Sequence, residues 1–217
     1  MSSKPVKGTL FVISAPSGAG KTSLAEGLLA SVDGLAFSVS HTTRRPRKGE
    51  LHGREYFFIS VDEFEAMIEQ GAFLEYACVY ESHYYGTSRA FVESKLAEGI
   101  DVLLDIDVQG AMEVRRKVPK AVLIFVFPPS FQELKERLRK RGLDGDDEIE
   151  RRLAIAAQEI ADYRHYQYLI INDDLGKSRD ELKSIVLAVR CQSKRRRQAA
   201  QRISDTFERE TAAPQSD

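Results

Sequence analysis

Two groups of residues in this chain have the types and spacing to do chemistry on phosphate. The first is Ala15-Pro-Ser-Gly-Ala-Gly-Lys-Thr22, which follows the apolar run Thr9-Leu-Phe-Val-Ile-Ser14. Strand, glycine loop, Lys-Thr and helix in that order make a phosphate-binding P-loop. Gly18 and Gly20 let backbone N–H groups wrap an anion, and the helix start adds positive dipole. Ala15, Pro16, Ser17, Gly18, Ala19 and Gly20 would then line the phosphates. Lys21 would reach the outer ones, and the Thr22 hydroxyl would ligate Mg²⁺. The strict pattern has Gly where Ala15 stands, so the loop must keep that position out of the positive-φ region.

The second group combines cations, phenols and hydroxyls: Ser40-His-Thr-Thr-Arg-Arg-Pro-Arg47, Gly53-Arg-Glu-Tyr56, Phe73-Leu-Glu-Tyr76 and Tyr84-Tyr-Gly-Thr87. The planar guanidinium fork matches phosphate oxygens in pairs. Three close arginines alone read equally well as a solvated loop, and Glu75 alone reads as a surface residue on an edge strand. Asp105 and Asp107 follow the apolar run Val102-Leu-Leu104, a place where P-loop enzymes often hold a metal-bound water. A helix cap is the other reading of Asp107. Arg137 and Arg141 share a helix face at i,i+4.

The elements that must position these residues alternate. Strands are expected at Leu10–Ser14, Val102–Asp105, Val122–Phe127 and Tyr168–Ile171, each an apolar run. Helices are expected after them at Thr22–Ala30, Val108–Lys117, Phe131–Lys140 and Ser178–Arg190. Near-continuous apolar strands between amphipathic helices predict a parallel sheet covered on both faces. The stretch from about Ala36 to Arg89 reads instead as a small, partly antiparallel lobe. It has short strands at Phe37–Ser40 and Tyr56–Ile59 and a helix at Asp62–Gln70. Residues from about 129 to 163 are almost all helical, with Asp146 or Asp147 as a cap and Ile149, Leu153, Ala156 and Ile160 as an apolar stripe. The expected fold class is therefore α/β. A P-loop NTPase core (1–35, 90–128, 164–192) carries an inserted α+β lobe (36–89) and a helical lid (129–163). A polar tail, 193–217, reads as a solvated helix end that frays.

Bulk composition excludes several classes. The formal net charge is -1, which argues against broad electrostatic binding of nucleic acid. No apolar stretch has the length of a membrane span, and the N-terminus lacks the apolar core of a signal peptide. The cysteines, Cys78 and Cys191, have no metal or disulfide spacing and suit a reducing cytoplasm; Cys78 reads as a packed core residue. The four histidines are scattered and read as structural or solvent-exposed.

Taken in order, these segments resemble guanylate kinases of bacterial type. The matching pieces are Ala15–Thr22, Ser38–Arg44, Pro46-Arg47, Gly53–Phe57, Phe73-Leu-Glu75, Tyr84–Ser88, Leu104–Gly110, Pro128-Pro-Ser130, Arg137–Gly142 and Ile171–Asp174. The resemblance implies transfer of the γ-phosphoryl group of ATP to GMP, with Mg²⁺, in purine nucleotide metabolism. It also implies dGMP as an acceptor. It assigns the GMP phosphate to Arg44, Arg47, Tyr56 and Tyr85, and the guanine to Ser40, Glu75 and Thr87, with Asp105 close by. Lys21, Arg137, Arg141 and Arg152 would act on the transferring group, and Asn172 would contact adenine. A carboxylate at Glu75 accepts from the N1–H and 2-amino group of guanine, whereas adenine offers no donor there. A kinase of another nucleoside monophosphate or sugar phosphate, and a scaffold-type binding module, are the alternatives. Glu75 separates the first, and the intact Lys21-Thr22 pair the second.

Overall fold

The computed structural model describes residues 6–79, 83–140 and 145–212. Five parallel strands form the core sheet: β1 (Leu10–Ser14), β2 (Leu35–Phe37), β7 (Asp101–Asp105), β8 (Val122–Phe127) and β9 (Tyr168–Ile171), in the order β2-β7-β1-β8-β9. Side chains alternate between its faces. Phe11 and Ile13 enter one apolar layer, under α1 (Lys21–Ser31) and α7 (Leu175–Arg190). Leu10 and Val12 enter the other, under α3 (Arg89–Ala97) and α4 (Val108–Lys117). All five residues of β1 are buried, as an apolar strand between two helical layers must be.

A second, mainly antiparallel sheet takes β3 (His41–Thr42), β4 (Phe57–Phe58), β5 (Phe73–Val79) and β6 (His83–Ser88) in the order β4-β3-β6-β5. Helix α2 (Val61–Glu69) packs Phe64 against Phe73 and Tyr84, with ring centroids 4.4 and 5.2 Å away. Ser60 and Glu63 form a capping box that fixes its start. Helices α5 (Phe131–Lys140) and α6 (Asp146–Ala161) make a third unit around Leu134, Leu138, Ile149, Leu153 and Ala156.

Several expectations are corrected. The strand expected at Phe37–Ser40 is not in the small sheet. Leu35–Phe37 instead pairs with Asp101–Leu103 as the edge of the core sheet. No helix was expected over Arg89–Ala97, yet Ser88 caps one by accepting from the Phe91 amide. Neither Asp146 nor Asp147 is the cap of α6: the N-cap is Gly145, and both acids lie in the first turn, where they favour the positive dipole end. Helix α7 begins at Leu175 rather than Ser178, because Asp174 accepts from the Lys177 amide at 2.8 Å. Cys78 is exposed, not packed in a core. Residues 213–217 of the polar tail lie outside the described residues; the described part is α8 (Ser193–Ala212), one continuous and largely exposed helix of 20 residues, favoured by its Arg, Gln, Ala and Glu content. Arg195 anchors its start, donating to the Lys7 carbonyl at 3.1 Å.

Candidate active site

The site lies where the C-terminal edge of the parallel sheet meets the small sheet. One cavity is lined by the loop residues Ala15, Pro16, Ser17, Gly18 and Gly20, then Lys21 and Thr22. Across it stand Ser40, Tyr56, Glu75 and Tyr85, with Asp105 and Asp107 between the two walls. The topology explains the meeting. Parallel register places Ile13 beside Asp105, so the ends of β1 and β7 deliver the loop and both aspartates to one edge.

The loop is built to receive an anion. Gly18 and Gly20 have φ of 95° and 93°, a left-handed region that favours glycine. Helix α1 begins with no side-chain cap and no acidic residue in its first turn, so its first N–H groups and dipole are left for a ligand. Lys21 Nζ reaches Asp105 Oδ1 at 2.6 Å and donates to the Ile106 carbonyl at 2.9 Å. Burial alone lowers the pKa of this ammonium, but the Asp105 carboxylate, with smaller contributions from Asp107 and Tyr56, offsets it, and the net shift is upward.

Asn172 is not among the residues that line this cavity. Its side chain is buried and donates from Nδ2 to the Ala19 carbonyl at 2.6 Å. A Cβ at Gly20 would lie 2.4 Å from the same Nδ2. Asn172, at the end of β9, therefore clamps the loop from behind.

The opposite wall holds a buried carboxylate. Glu75 sits on β5, an edge strand as one reading of the sequence had it, yet it is only 3% exposed. Thr87 on β6 donates its hydroxyl to Glu75 Oε1 at 2.5 Å. A Cβ at position 110 would meet Glu75 Oε2 at 2.5 Å, so Gly110 leaves the room this carboxylate occupies. Burial pushes the Glu75 carboxyl up to about 7, against the pull of the Thr87 hydrogen bond. Ser40 is buried beside it on the cavity wall.

The phenols and Arg44 form a separate cluster. Tyr56 and Tyr85 meet edge to face, with centroids 5.7 Å apart, and the Arg44 guanidinium lies 5.3 Å from the Tyr56 ring centre. Glu50, which sequence reasoning did not single out, binds Arg44 at 2.8 Å and accepts from the Arg47 amide at 2.7 Å. The Arg44 hydrogen bond holds the Glu50 carboxyl below its usual range. Arg47 itself is exposed, and neither it nor Arg44 lines the cavity.

The lid residues stand outside the cavity in this structure. Arg137 donates to Glu133 at 3.0 Å and to the Asn172 carbonyl at 3.1 Å. Arg152 donates to Glu148 at 3.2 Å. Arg141 lies outside the described residues. Asp107 is the N-cap of α4, accepting from the Gly110 amide at 2.8 Å, and still borders the cavity. One lid residue does enter it: Glu159, which sequence reasoning missed. It flanks the apolar stripe of α6, and only the packing of that helix turns it inward.

Known proteins agree with this geometry. The family model described as guanylate kinase matches residues 7–189. Curated guanylate kinases of Escherichia coli (strain K12) and Salmonella typhimurium (strain LT2) are each 50% identical over 194 residues. Those alignments span 88% of this chain and 93% of each relative. The crystal structure of guanylate kinase from Anaplasma phagocytophilum superposes with a TM-score of 0.74 at 32% identity, covering 88% of this chain and 90% of that one. With a loop for a triphosphate on one wall and a buried carboxylate on the other, and with this agreement over most of its length, the chain belongs to the guanylate kinase family.

Proposed function

We propose that the chain transfers the γ-phosphoryl group of ATP to GMP, and also to dGMP, giving ADP and GDP or dGDP. The observation that carries this reading is that one cavity has Lys21 and Thr22 on one wall and Glu75 on the other. ATP phosphates occupy the loop. GMP lies across the cavity, its guanine on Ser40, Glu75 and Thr87 and its phosphate on Arg44, Arg47, Tyr56 and Tyr85. In its ionised form Glu75 takes the N1–H and 2-amino donors of guanine. Adenine offers neither donor and would leave that buried carboxylate with Thr87 as its one hydrogen-bond donor among the described residues, a loss on the order of 10⁴-fold in such sites.

No general base is required. The nucleophile is a phosphate oxygen of GMP, ionised at neutral pH, so the chain's work is alignment and charge stabilisation. Lys21 neutralises the transferring group. Arg137, Arg141 and Arg152 join it when α5 and α6 close over the donor, which also excludes water that would waste ATP. For Arg137 and Arg152 this means leaving the glutamates that hold them in this structure.

The residues present fit Mg²⁺ carried in with ATP. The Thr22 hydroxyl lies on the cavity wall beside Lys21, and such ions are held largely by phosphate oxygens and water. Bound there, Mg²⁺ supplies charge neutralisation on the β and γ oxygens. A cytoplasmic setting in purine nucleotide metabolism is part of the same reading. It is supported by two exposed, unpaired cysteines, Cys78 and Cys191. Among the described residues no helix is long and apolar enough to cross a membrane.

A coupled assay of ADP release across a panel of monophosphates tests the reading. GMP and dGMP are expected to support turnover and AMP, CMP and UMP to give under about 1% of it. No ADP release with GMP present would overturn it.

A further inference from the structure

Four carboxylates border the cavity, and three already have partners. Asp105 holds Lys21, Asp107 caps α4, and Glu75 accepts from Thr87. The fourth, Glu159, enters from α6 and takes no hydrogen bond or ion pair from the described residues. A partly buried carboxyl aimed into a binding cavity without a partner is costly unless the ligand supplies one.

Glu159 lies within electrostatic reach of groups on the cavity wall. Burial pushes its carboxyl up to about 7, the Lys21 cation pulls it down, and Asp107 pushes it up. Asp107 also acts on Glu75, the guanine wall. Lys21 also acts on Tyr56, the acceptor-phosphate wall. Glu159 lines the same cavity as Tyr56 and Tyr85, the acceptor-phosphate wall, and as Ser40 and Glu75, the guanine wall.

Chemistry narrows the choice further. A carboxylate facing the acceptor phosphate would meet a like charge. The guanine donors are taken by Glu75. The donors that remain on the acceptor are the 2′- and 3′-hydroxyls, and a carboxylate has two oxygens to accept from such a pair. Acidic side chains serve this purpose on the ribose of dinucleotides. We infer that Glu159 is a specificity-determining residue that accepts hydrogen bonds from the ribose hydroxyls of the acceptor nucleotide. Because Glu159 rides on α6, two helical turns beyond Arg152, the contact also ties acceptor binding to the helix that carries a lid arginine.

The inference rests on GMP as acceptor, and the test keeps the two readings apart. Affinity for GMP and for 2′,3′-dideoxy-GMP is measured by titration calorimetry, and kcat/KM for both by ADP release, in the wild type, Glu159→Gln and Glu159→Ala. The wild type should prefer GMP by about tenfold or more, the effect of one or two hydrogen bonds to a charged group. Glu159→Ala should bring that preference to within about twofold of unity, while Glu159→Gln keeps part of it through its amide oxygen. An unchanged preference in Glu159→Ala, an equal loss on both acceptors, or no preference in the wild type would each overturn the inference. So would a change confined to ATP against 2′,3′-dideoxy-ATP, which would place Glu159 on the donor sugar. GMP that binds with the expected preference but is never phosphorylated would sink the kinase reading and leave this one standing.

Discussion

Lys21 and Asp105 form an ion pair of 2.6 Å between the first residue of α1 and the last of β7. Both are mostly shielded, with side chains 19% and 14% exposed. The pair holds the ammonium over the cavity before any phosphate arrives. An incoming γ-phosphoryl group must then compete with Asp105 for it.

The pair can be tested by a double-mutant cycle. Lys21→Ala should lower kcat by about 100-fold or more, the range for losing a preorganised charge at a transferring group. Asp105→Asn should cost about tenfold through loss of lysine positioning. The double variant should be no worse than Lys21→Ala alone, because Asp105 acts through Lys21. Additive losses in steady-state kinetics would show that Asp105 has an independent role.

Glu75→Gln should reduce kcat/KM for GMP by at least about 100-fold and leave ATP affinity within about twofold, because an amide cannot accept from both guanine donors. Titration of each nucleotide separately checks this. Unchanged GMP kinetics would refute base reading by Glu75.

The same carboxyl predicts a pH dependence of binding. With a folded pKa of about 7, Glu75 is half neutral at neutral pH, and only the ionised form accepts from both guanine donors. GMP affinity should therefore increase as pH rises from 6 to 8, and guanine binding should release protons. The GMP phosphate ionises near pH 6 in every variant, so the comparison with Glu75→Gln isolates the carboxyl. A rise of equal size in both proteins would assign it to the phosphate.

Stability should run the opposite way. The folded pKa of Glu75 lies above the usual 4.5, so the folded protein holds its proton where the unfolded chain has lost it. Stability is fully present below about pH 4.5 and is lost as pH rises toward 7, by roughly 3 kcal/mol at the limit. Glu75→Gln should accordingly melt higher than the wild type at pH 8, with the gap closing by pH 5. Melting curves at both pH values decide the matter.

Gly20→Ala should fail at the loop for two reasons. Its φ of 93° costs a side chain about 1–2 kcal/mol, and the new Cβ would sit 2.4 Å from Asn172 Nδ2. Asn172→Ala relieves the contact but removes the clamp on Ala19. ATP affinity should fall in both, and Gly20→Ala should recover partly when Asn172→Ala is added. No recovery in the double variant would show that backbone strain alone is responsible.

Much of the core was readable from residues adjacent in the chain. The spans of β1 and β8 match the apolar runs residue for residue, because a strand covered on both faces has few polar positions to blur its ends; the span of edge strand β9 matches too, although Leu169 and Ile171 are exposed. The small sheet was less legible. Strands β5 and β6 form its longest ladder, from Phe73 beside Ser88 to Val79 beside His83, yet the sequence reading gave a span for neither and touched β5 only through Glu75 on an edge strand. Their mix of Tyr, His, Cys, Gly and Glu has no clean period, since ladder pairing and the cavity wall make different demands on them.

The P-loop, the Lys-Thr pair and the likeness to guanylate kinases lie in short segments, so the sequence by itself determined the donor class and the family. Tertiary structure alone decided what each outlying side chain touches. Asn172 meets Ala19 across 153 positions of chain, a contact with the loop. Glu50 holds Arg44, and Glu159 turns into the cavity because of how α6 packs on α5. The reason is one of range. A motif within eight residues is set by local backbone geometry, whereas the direction of a distant side chain depends on packing that no local spacing records.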